Sequence, residues 1–183
     1  MNIETFNRIK SEYGNHSSFA VWNPDNLNDV SVIEKSLESL HGNIIFVGVN
    51  ASNPVDCFKN FHMRRRGGRD IWLQEAFNSG IFYGAYMTDF FKDDFSKKSS
   101  GVDKSLSRVE DGVKKLKDEI SILGTNPIFV RFGKDPKSEL EKFFPKKRIF
   151  TLPHYAKPGI TKEVFLSSVE KIEQAIKNQN AQN

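Results

Sequence analysis

A chain of 183 residues with 38% hydrophobic content is long enough to bury one sizeable core and short for two, so we expect a single domain over residues 1–183. One cysteine, Cys57, excludes an intramolecular disulfide, and the N-terminal residues lack the basic and apolar regions of a secretory signal, which favours a cytoplasmic protein. No apolar run approaches the roughly 20 residues of a membrane-spanning helix, and the net charge of +4 leans mildly towards an anionic partner.

The N-terminal residues 1–42 predict helices. Apolar residues recur at helical spacing over residues 3–13 and again over residues 30–40. Gly42 is placed to end the second of these helices as its C-cap. We therefore expect two amphipathic helices ahead of the first strand.

Residues 44–47 form an apolar run between glycines, which predicts a buried strand covered on both faces. Ligands of open parallel sheets bind just outside the carboxyl ends of the strands, so Asn50, Ser52 and Asn53 stand at a candidate site. Gly48 would let the backbone approach a ligand closely. The alternative is an ordinary turn from strand to loop.

Strands and helices alternate along the rest of the chain. The predicted elements are a helix from about Asp70, a strand over residues 83–88, a charged helix over 105–123, a strand over 128–132, a helix through 140–143, a strand over 148–152, and a last helix capped by Thr161. The tail from 177 to 183 is expected to fray. This alternation predicts right-handed crossovers and a three-layer α/β/α sandwich with a four-stranded, mostly parallel central sheet.

Polar residues follow three of the four predicted strands. Asn50, Asp89 and His154 stand at equivalent strand ends, so they are expected to meet at one rim of the sheet. Each also has an ordinary interpretation, as a turn asparagine, a capping or Lys92-paired aspartate, and a loop histidine. Phosphate-binding glycine motifs are missing, and the four histidines and one cysteine lack metal-ligand spacing. We therefore expect no metal and no cofactor.

The segment Gly48-Val49-Asn50-Ala51-Ser52 resembles the first motif of the uracil-DNA glycosylase superfamily, in the Gly-x-Asn-Pro-Gly form of its mismatch-specific branch. Further segments resemble the same branch at similar spacing, so that the resemblance runs over residues 43–176: Phe61-His62, the residues 84–89, Phe132-Gly133-Lys134 and Leu152-Pro153-His154. The resemblance implies a uracil-DNA glycosylase-like fold and a monomer that binds duplex or single-stranded DNA. It also implies a DNA N-glycosylase that excises a damaged or deaminated base by hydrolysis.

The resemblance assigns roles to individual residues. It implies that Asn50 positions the attacking water and that His154 steadies the leaving base as its glycosidic bond breaks. It implies a base pocket with Gly48, with Phe61 stacked on the extruded base and with Asp89 at the base edge. Because an ionised aspartate only accepts hydrogen bonds, Asp89 in that place would disfavour uracil.

Nucleic-acid contacts are expected on two loops. The densest positive cluster is interrupted by Gly67-Gly68 and consists of Arg64, Arg65, Arg66 and Arg69. Its guanidiniums are expected to bind phosphates. The alternative is a solvated basic loop with no ligand. Ser52, Tyr155 and Lys157 are expected to join this surface.

Two departures from the motifs leave other functions open. Ala51-Ser52 stands where the branch has Pro-Gly, and Tyr155-Ala156 stands where it has Pro-Ser. The alternatives are a non-catalytic nucleic-acid-binding protein on the same fold and an enzyme that processes nucleosides or nucleotides.

Overall fold

The computed structural model describes residues 1–62, 68–97, 101–134 and 136–181. Its strands, in chain order, are β1 (Ser17–Phe19), β2 (His41–Gly48), β3 (Ala85–Asp89), β4 (Ile128–Phe132) and β5 (Ile149–Leu152). They form one sheet in the order β1-β3-β2-β4-β5, in which β2 to β5 are parallel and β1 pairs antiparallel with β3.

The helices are α1 (Ile3–Tyr13), α2 (Ser31–Lys35), α3 (Asp70–Phe77), α4 (Leu106–Leu123), α5 (Lys137–Phe143) and α6 (Lys162–Asn180). Side-chain caps start two of them. The side chain of Asn2 accepts a hydrogen bond from Thr5 N at 2.8 Å, and that of Thr161 accepts one from Val164 N at 3.3 Å. Gly124 ends α4 in the left-handed conformation, which glycine adopts without a steric penalty.

Apolar clusters cover both faces of the sheet. One cluster packs α1, α4 and α5 against the first face, and the other packs α3 and α6 against the second. Side chains along β3 point alternately to the two faces, so Tyr86 belongs to the first cluster and Ala85 and Met87 belong to the second. The described residues thus form three layers, with helices on either side of a central sheet.

The prediction of an α/β domain with parallel strands is confirmed, but the count of four strands is wrong, because Ser17–Phe19 adds a fifth, antiparallel strand at the sheet edge. This strand is short and begins with two serines, so it carries no apolar period. Its serines are buried because their hydroxyls donate to carbonyls, Ser17 to Tyr13 at 2.9 Å and Ser18 to Phe58 at 3.0 Å.

Two boundaries near residue 40 also differ from the prediction. The expected helix over residues 30–40 is interrupted at Ser36, where α2 gives way to a short 3₁₀ turn, Leu37–Ser39. Gly42 is not a helix cap but lies inside β2, where a Cβ would clash with Leu123 and Thr125. The segment 1–42 therefore holds β1 and the start of β2 as well as helices. In the ranges given above, none of the helices has both the length and the apolar character needed to cross a bilayer.

Candidate functional site

A cleft of about 1230 Å³ opens at the carboxyl ends of the parallel strands. Strand ends are level there, because Gly48 pairs with Asp89 and Phe132 pairs with Leu152. The chain runs from β2 to β3 on one side and then crosses back from β3 to β4 on the other side of β2. Parallel sheets bind ligands at such a reversal of strand order, so the cleft lies where the topology favours a site.

The structure brings the predicted strand-end residues together in the lining of this cleft. Asn50 follows β2, Asp89 ends β3, Gly133 follows β4 and His154 follows β5. Four residues from different parts of the sequence therefore share one cavity, because they follow or end four adjacent parallel strands of the sheet.

Asn50 holds a neighbouring segment with its amide nitrogen. Its Nδ2 donates to the carbonyls of Asp94 and Ser96, each at 2.9 Å, and to that of Ala51 at 3.3 Å. The amide thereby fixes the segment that follows β3 against the loop after β2. Its carbonyl oxygen, Oδ1, is the remaining polar atom and can accept a hydrogen bond.

Asp89 is 4% exposed and is paired with an asparagine that sequence reasoning missed. Asn60 donates from Nδ2 to Asp89 Oδ2 at 2.8 Å and to the His16 carbonyl at 3.2 Å. Burial raises the pKa of Asp89 to about 6, against the lowering effects of the Asn60 hydrogen bond and the Lys92 charge. No pattern in the sequence marks Asn60, because its partners lie 29 and 44 residues away.

Gly48 and Phe61 bring backbone and ring close to that carboxylate. A Cβ on Gly48 would collide with Asp89 Oδ1 and would lie 3.4 Å from Phe61 Cζ, so only glycine fits there. Phe61 has a φ of 66°, in the left-handed region that bulky residues rarely adopt. Trp22 Nε1 donates to its carbonyl at 3.3 Å and helps to hold this conformation. A strained residue that lines a cleft points to a functional constraint.

His154 is neutral and has a defined tautomer. Its Nδ1 accepts a hydrogen bond from Ala156 N at 3.1 Å, which places the ring proton on Nε2. Burial lowers the pKa of His154 below its ordinary value. The ring stacks on Tyr155 with a centroid distance of 5.1 Å. The cleft thus contains a neutral imidazole whose Nε2–H can donate.

Arg69 secures the loop that carries His154. Its Nη1 donates to the carbonyls of Tyr155 at 3.2 Å, Lys157 at 3.0 Å and Ile160 at 3.2 Å, and its guanidinium lies 4.8 Å from the Trp72 ring. These contacts engage the guanidinium within the protein. The predicted contact of Arg69 with phosphate stays a prediction beside this positioning role.

The other expected nucleic-acid contacts differ in exposure. Ser52 lines the cleft and is half-buried, Lys157 is exposed, and Tyr155 is only 9% exposed because its ring packs against Phe132 and Phe165. Arg64, Arg65 and Arg66 lie outside the described residues. Two further lysines line the cleft and were missed by the sequence analysis: Lys97 and Lys134. Lys134 stands two residues after the end of a predicted strand, which is the available signal.

His62, next to Phe61 in the motif, has a structural role. It is fully buried, its Nε2 donates to the Phe19 carbonyl at 3.1 Å, and its ring stacks on Trp22 at 4.9 Å. Burial lowers its pKa to about 3, so the imidazole is neutral. Among the residues that the structure describes, no group of three or more His, Cys, Asp or Glu side chains is arranged to hold a metal ion.

Comparison of the chain with models of known protein families and with curated proteins gives no match. The chemistry of the cleft therefore carries the functional inference. The cleft combines an aromatic ring, a buried carboxylate with its asparagine, a neutral imidazole donor and a lysine-bearing rim.

Proposed function

We propose that this protein is a uracil-DNA glycosylase-like DNA N-glycosylase, which holds an extruded damaged base in the cleft and hydrolyses its N-glycosidic bond. The observation that supports this best is the meeting of Phe61, Asp89 and His154 in one cavity at the ends of parallel strands. Recognition of a flipped base requires an aromatic face for stacking and a side chain that forms hydrogen bonds with the base edge. Its release requires a hydrogen-bond donor to the leaving base.

His154 would stabilise the leaving base. Breaking the bond leaves positive charge on the sugar and negative charge on the base, and a fixed N–H donor stabilises that anion more than it stabilises the ground state. The Nδ1 bond to Ala156 N holds the ring in the required tautomer. The hydrogen bond from Nε2–H strengthens as negative charge develops on the base.

Asn50 would position the attacking water. Its Nδ2 donates to the carbonyls of Asp94 and Ser96, so the side chain is held in one orientation and Oδ1 is the atom left to accept a hydrogen bond from the water. A sugar cation is a strong electrophile, so orienting the water suffices and no strong base is needed.

One observation favours a variant of this function without duplex opening. Tyr155 stands in the loop that the resemblance assigns to DNA contact, yet its ring packs in the core against Phe132 and Phe165. At 9% exposure the Tyr155 ring does not project from the surface, as insertion into the base stack of a duplex would require. This supports single-stranded DNA as the partner, and it also supports the alternatives of a non-catalytic nucleic-acid-binding protein or an enzyme acting on free nucleosides or nucleotides.

The test is incubation of the protein with single-stranded and duplex oligonucleotides that each carry one uracil, deaminated or alkylated base, followed by alkaline cleavage. We expect an abasic product from at least one lesion, preferentially in single strands, and loss of that product in His154→Ala. Binding without an abasic product would identify the non-catalytic binder. Release of base from free nucleosides alone would identify the nucleoside enzyme.

A further inference from the structure

We propose that Asp89 and Asn60 together select a base whose recognised edge carries two adjacent hydrogen-bond donors, a ring N–H beside an amino group, as in guanine and its damaged derivatives. This inference rests on the proposed function, because it names the class of base that the same cleft would hold. It makes Asn60 a specificity-determining residue alongside Asp89.

The orientation of the Asn60 amide follows from its partners. Nδ2 carries two protons, and it donates to Asp89 Oδ2 at 2.8 Å and to the His16 carbonyl at 3.2 Å. Turning the amide over would set its oxygen against two acceptors, so this orientation is determined. Asn60 lines the cleft, and with both protons used it can offer a ligand only the acceptor Oδ1.

Asp89 contributes further acceptor atoms. Oδ2 receives the Asn60 proton, while Oδ1 lies above Gly48, where the absence of a Cβ leaves it room. The nearby Lys92 does not bond this carboxylate. Its Nζ donates instead to Glu119 at 2.8 Å, to Thr88 Oγ1 at 3.0 Å and to the carbonyl of Asp89 itself at 2.8 Å.

The buried carboxylate is therefore supported by one neutral amide and still has acceptor capacity towards the cleft. A buried acceptor is most stable when donors satisfy it, and two parallel donors suit the two oxygens of a carboxylate best. When Asp89 is ionised, the pair has acceptors and no unused donor to offer a ligand in the cleft.

Base edges differ in how they match an acceptor-only pair. Guanine offers N1–H and the 2-amino group side by side. Hypoxanthine has the same ring N–H but a bare carbon in place of the amino group, and uracil flanks its N–H with two carbonyls that would face the carboxylate. A site built to bond a polar group rejects an analogue lacking it, and we expect discrimination of about tenfold to hundredfold or more.

The experiment measures binding of the full chain to single-stranded thymine oligonucleotides with one central guanine, hypoxanthine or uracil, by fluorescence anisotropy at pH 8. We expect guanine to bind at least about tenfold more tightly than hypoxanthine. Asp89→Asn should remove that preference and improve uracil and hypoxanthine binding, because an amide donates to a carbonyl. Asn7→Ala, an exposed change on α1 and outside the cleft lining, should leave the order unchanged.

Equal affinity for guanine and hypoxanthine in the native protein would overturn the proposal, as would no detectable binding of any oligonucleotide. This comparison needs no variant, so it decides even if Asp89→Asn does not fold. Failures of the two proposals are distinguishable. Guanine-selective binding without release of any base, normal or 8-oxidised guanine included, would support the edge preference and reject the glycosylase. Uracil release that Asp89→Asn does not affect would support the glycosylase and reject the edge preference.

Discussion

Burial shifts the pKa values of two ionisable side chains, Asp89 and His62, in opposite directions. It raises the pKa of Asp89 to about 6 and lowers that of His62 to about 3. In both residues the charged form is disfavoured, which for a carboxyl means holding a proton and for an imidazole means losing one. Asp89 lines the cleft, so its protonation state can affect a bound ligand. His62 is enclosed between Trp22 and the Phe19 carbonyl.

Asp89 should make the protein less stable as the pH rises, relative to Asp89→Asn. Its folded pKa of about 6 lies above the ordinary 3.8, so the folded state holds the proton more tightly and its contribution is complete below pH 3.8 and lost as the pH passes 6. The difference in unfolding free energy should change by up to about 3 kcal/mol between pH 4 and pH 8. Urea unfolding of both proteins across this range measures it, and His62 cancels in the comparison. A difference independent of pH would contradict the expectation.

Asn50→Ala should lower turnover far more than binding. Positioning a water matters chiefly in the transition state, so we expect a loss of about a hundredfold in the single-turnover rate on any oligonucleotide that yields an abasic product, with the dissociation constant within about threefold. Asn7→Ala is the control, because it makes the same change at an exposed position of α1 outside the cleft lining. Equal losses in rate and binding would assign Asn50 to holding the 94–96 segment alone.

At the scale of elements, one side chain fixes the loop between β5 and α6. Arg69 stands at the start of α3 and donates to three carbonyls of that loop. Within the loop, Lys157 N donates to the His154 carbonyl at 2.9 Å and Ala156 N to His154 Nδ1 at 3.1 Å. The position of the His154 ring therefore depends on a contact made from a different part of the chain, at the start of α3.

Arg69→Met should loosen this loop while leaving the fold intact. Losing three hydrogen bonds to a charged donor should speed amide exchange at Ala156 and Lys157 by at least about tenfold, since each such bond contributes about 1.5 kcal/mol or more. Hydrogen exchange followed by NMR measures this. Lys157→Ala, which removes an exposed side chain and keeps the carbonyl, should leave the exchange rate of Ala156 unchanged. Unaltered amide exchange in Arg69→Met would show that the loop keeps its conformation without the Arg69 hydrogen bonds.

The link between the end of β3 and α4 is a buried ion pair. Lys92 and Glu119 have side-chain exposures of 1% and 0% and lie 2.8 Å apart, and Glu119 also accepts from Tyr86 and Thr88 at 2.7 Å each. Removing one partner leaves a buried charge, so Lys92→Met should cost about 3 to 5 kcal/mol in unfolding free energy. Adding Glu119→Gln should recover most of that loss.

Urea unfolding of the single and double variants measures this coupling. Lys10→Ala is the matched control, because the Lys10–Glu34 pair is exposed at 43% and 59% and should cost less than about 1 kcal/mol. A double variant as unstable as Lys92→Met alone would mean that the lysine acts independently of Glu119.

At the scale of the whole molecule, the location of the positive charge matters more for binding an anionic partner than its total. Lys97, Lys134 and Lys157 line the cleft, next to the strand ends that hold the polar residues. A nucleic-acid backbone at this rim would pass the cleft mouth, which is the geometry that delivers a base into it.

Lys134→Ala combined with Lys157→Ala should flatten the salt dependence of oligonucleotide binding. Each lost phosphate contact removes about 0.7 from the slope of log affinity against log salt for a single strand, so the pair should remove up to about 1.4. Lys171→Ala, exposed on α6 and outside the cleft lining, is the control. An unchanged slope would remove this rim from the interface. The same measurement with two of Arg64, Arg65 and Arg66 neutralised tests the arginine cluster.

Local pattern was enough to predict the class of the fold. Apolar periods identified the parallel strands and the long helices, and the cap at Thr161 was foreseen, because backbone hydrogen bonding and burial act over a few residues. The same patterns placed Asn50, Asp89 and His154 at strand ends, and parallel strands necessarily present those ends on one side.

Only the tertiary structure decided what those residues contact. Several contacts join residues 29 to 91 positions apart in the sequence: the Asn60–Asp89 pair, the Asn50 bonds to Asp94 and Ser96, and the Arg69 bonds to three carbonyls. The edge strand β1 arises from its pairing with β3. Such contacts depend on which elements pack side by side, and no local period records that. The sequence by itself determined that Asn50, Asp89 and His154 reach one end of the sheet, because parallel strands present their ends on one side. Packing added Asn60 to the cleft and determined which atoms of these side chains remain to meet a ligand.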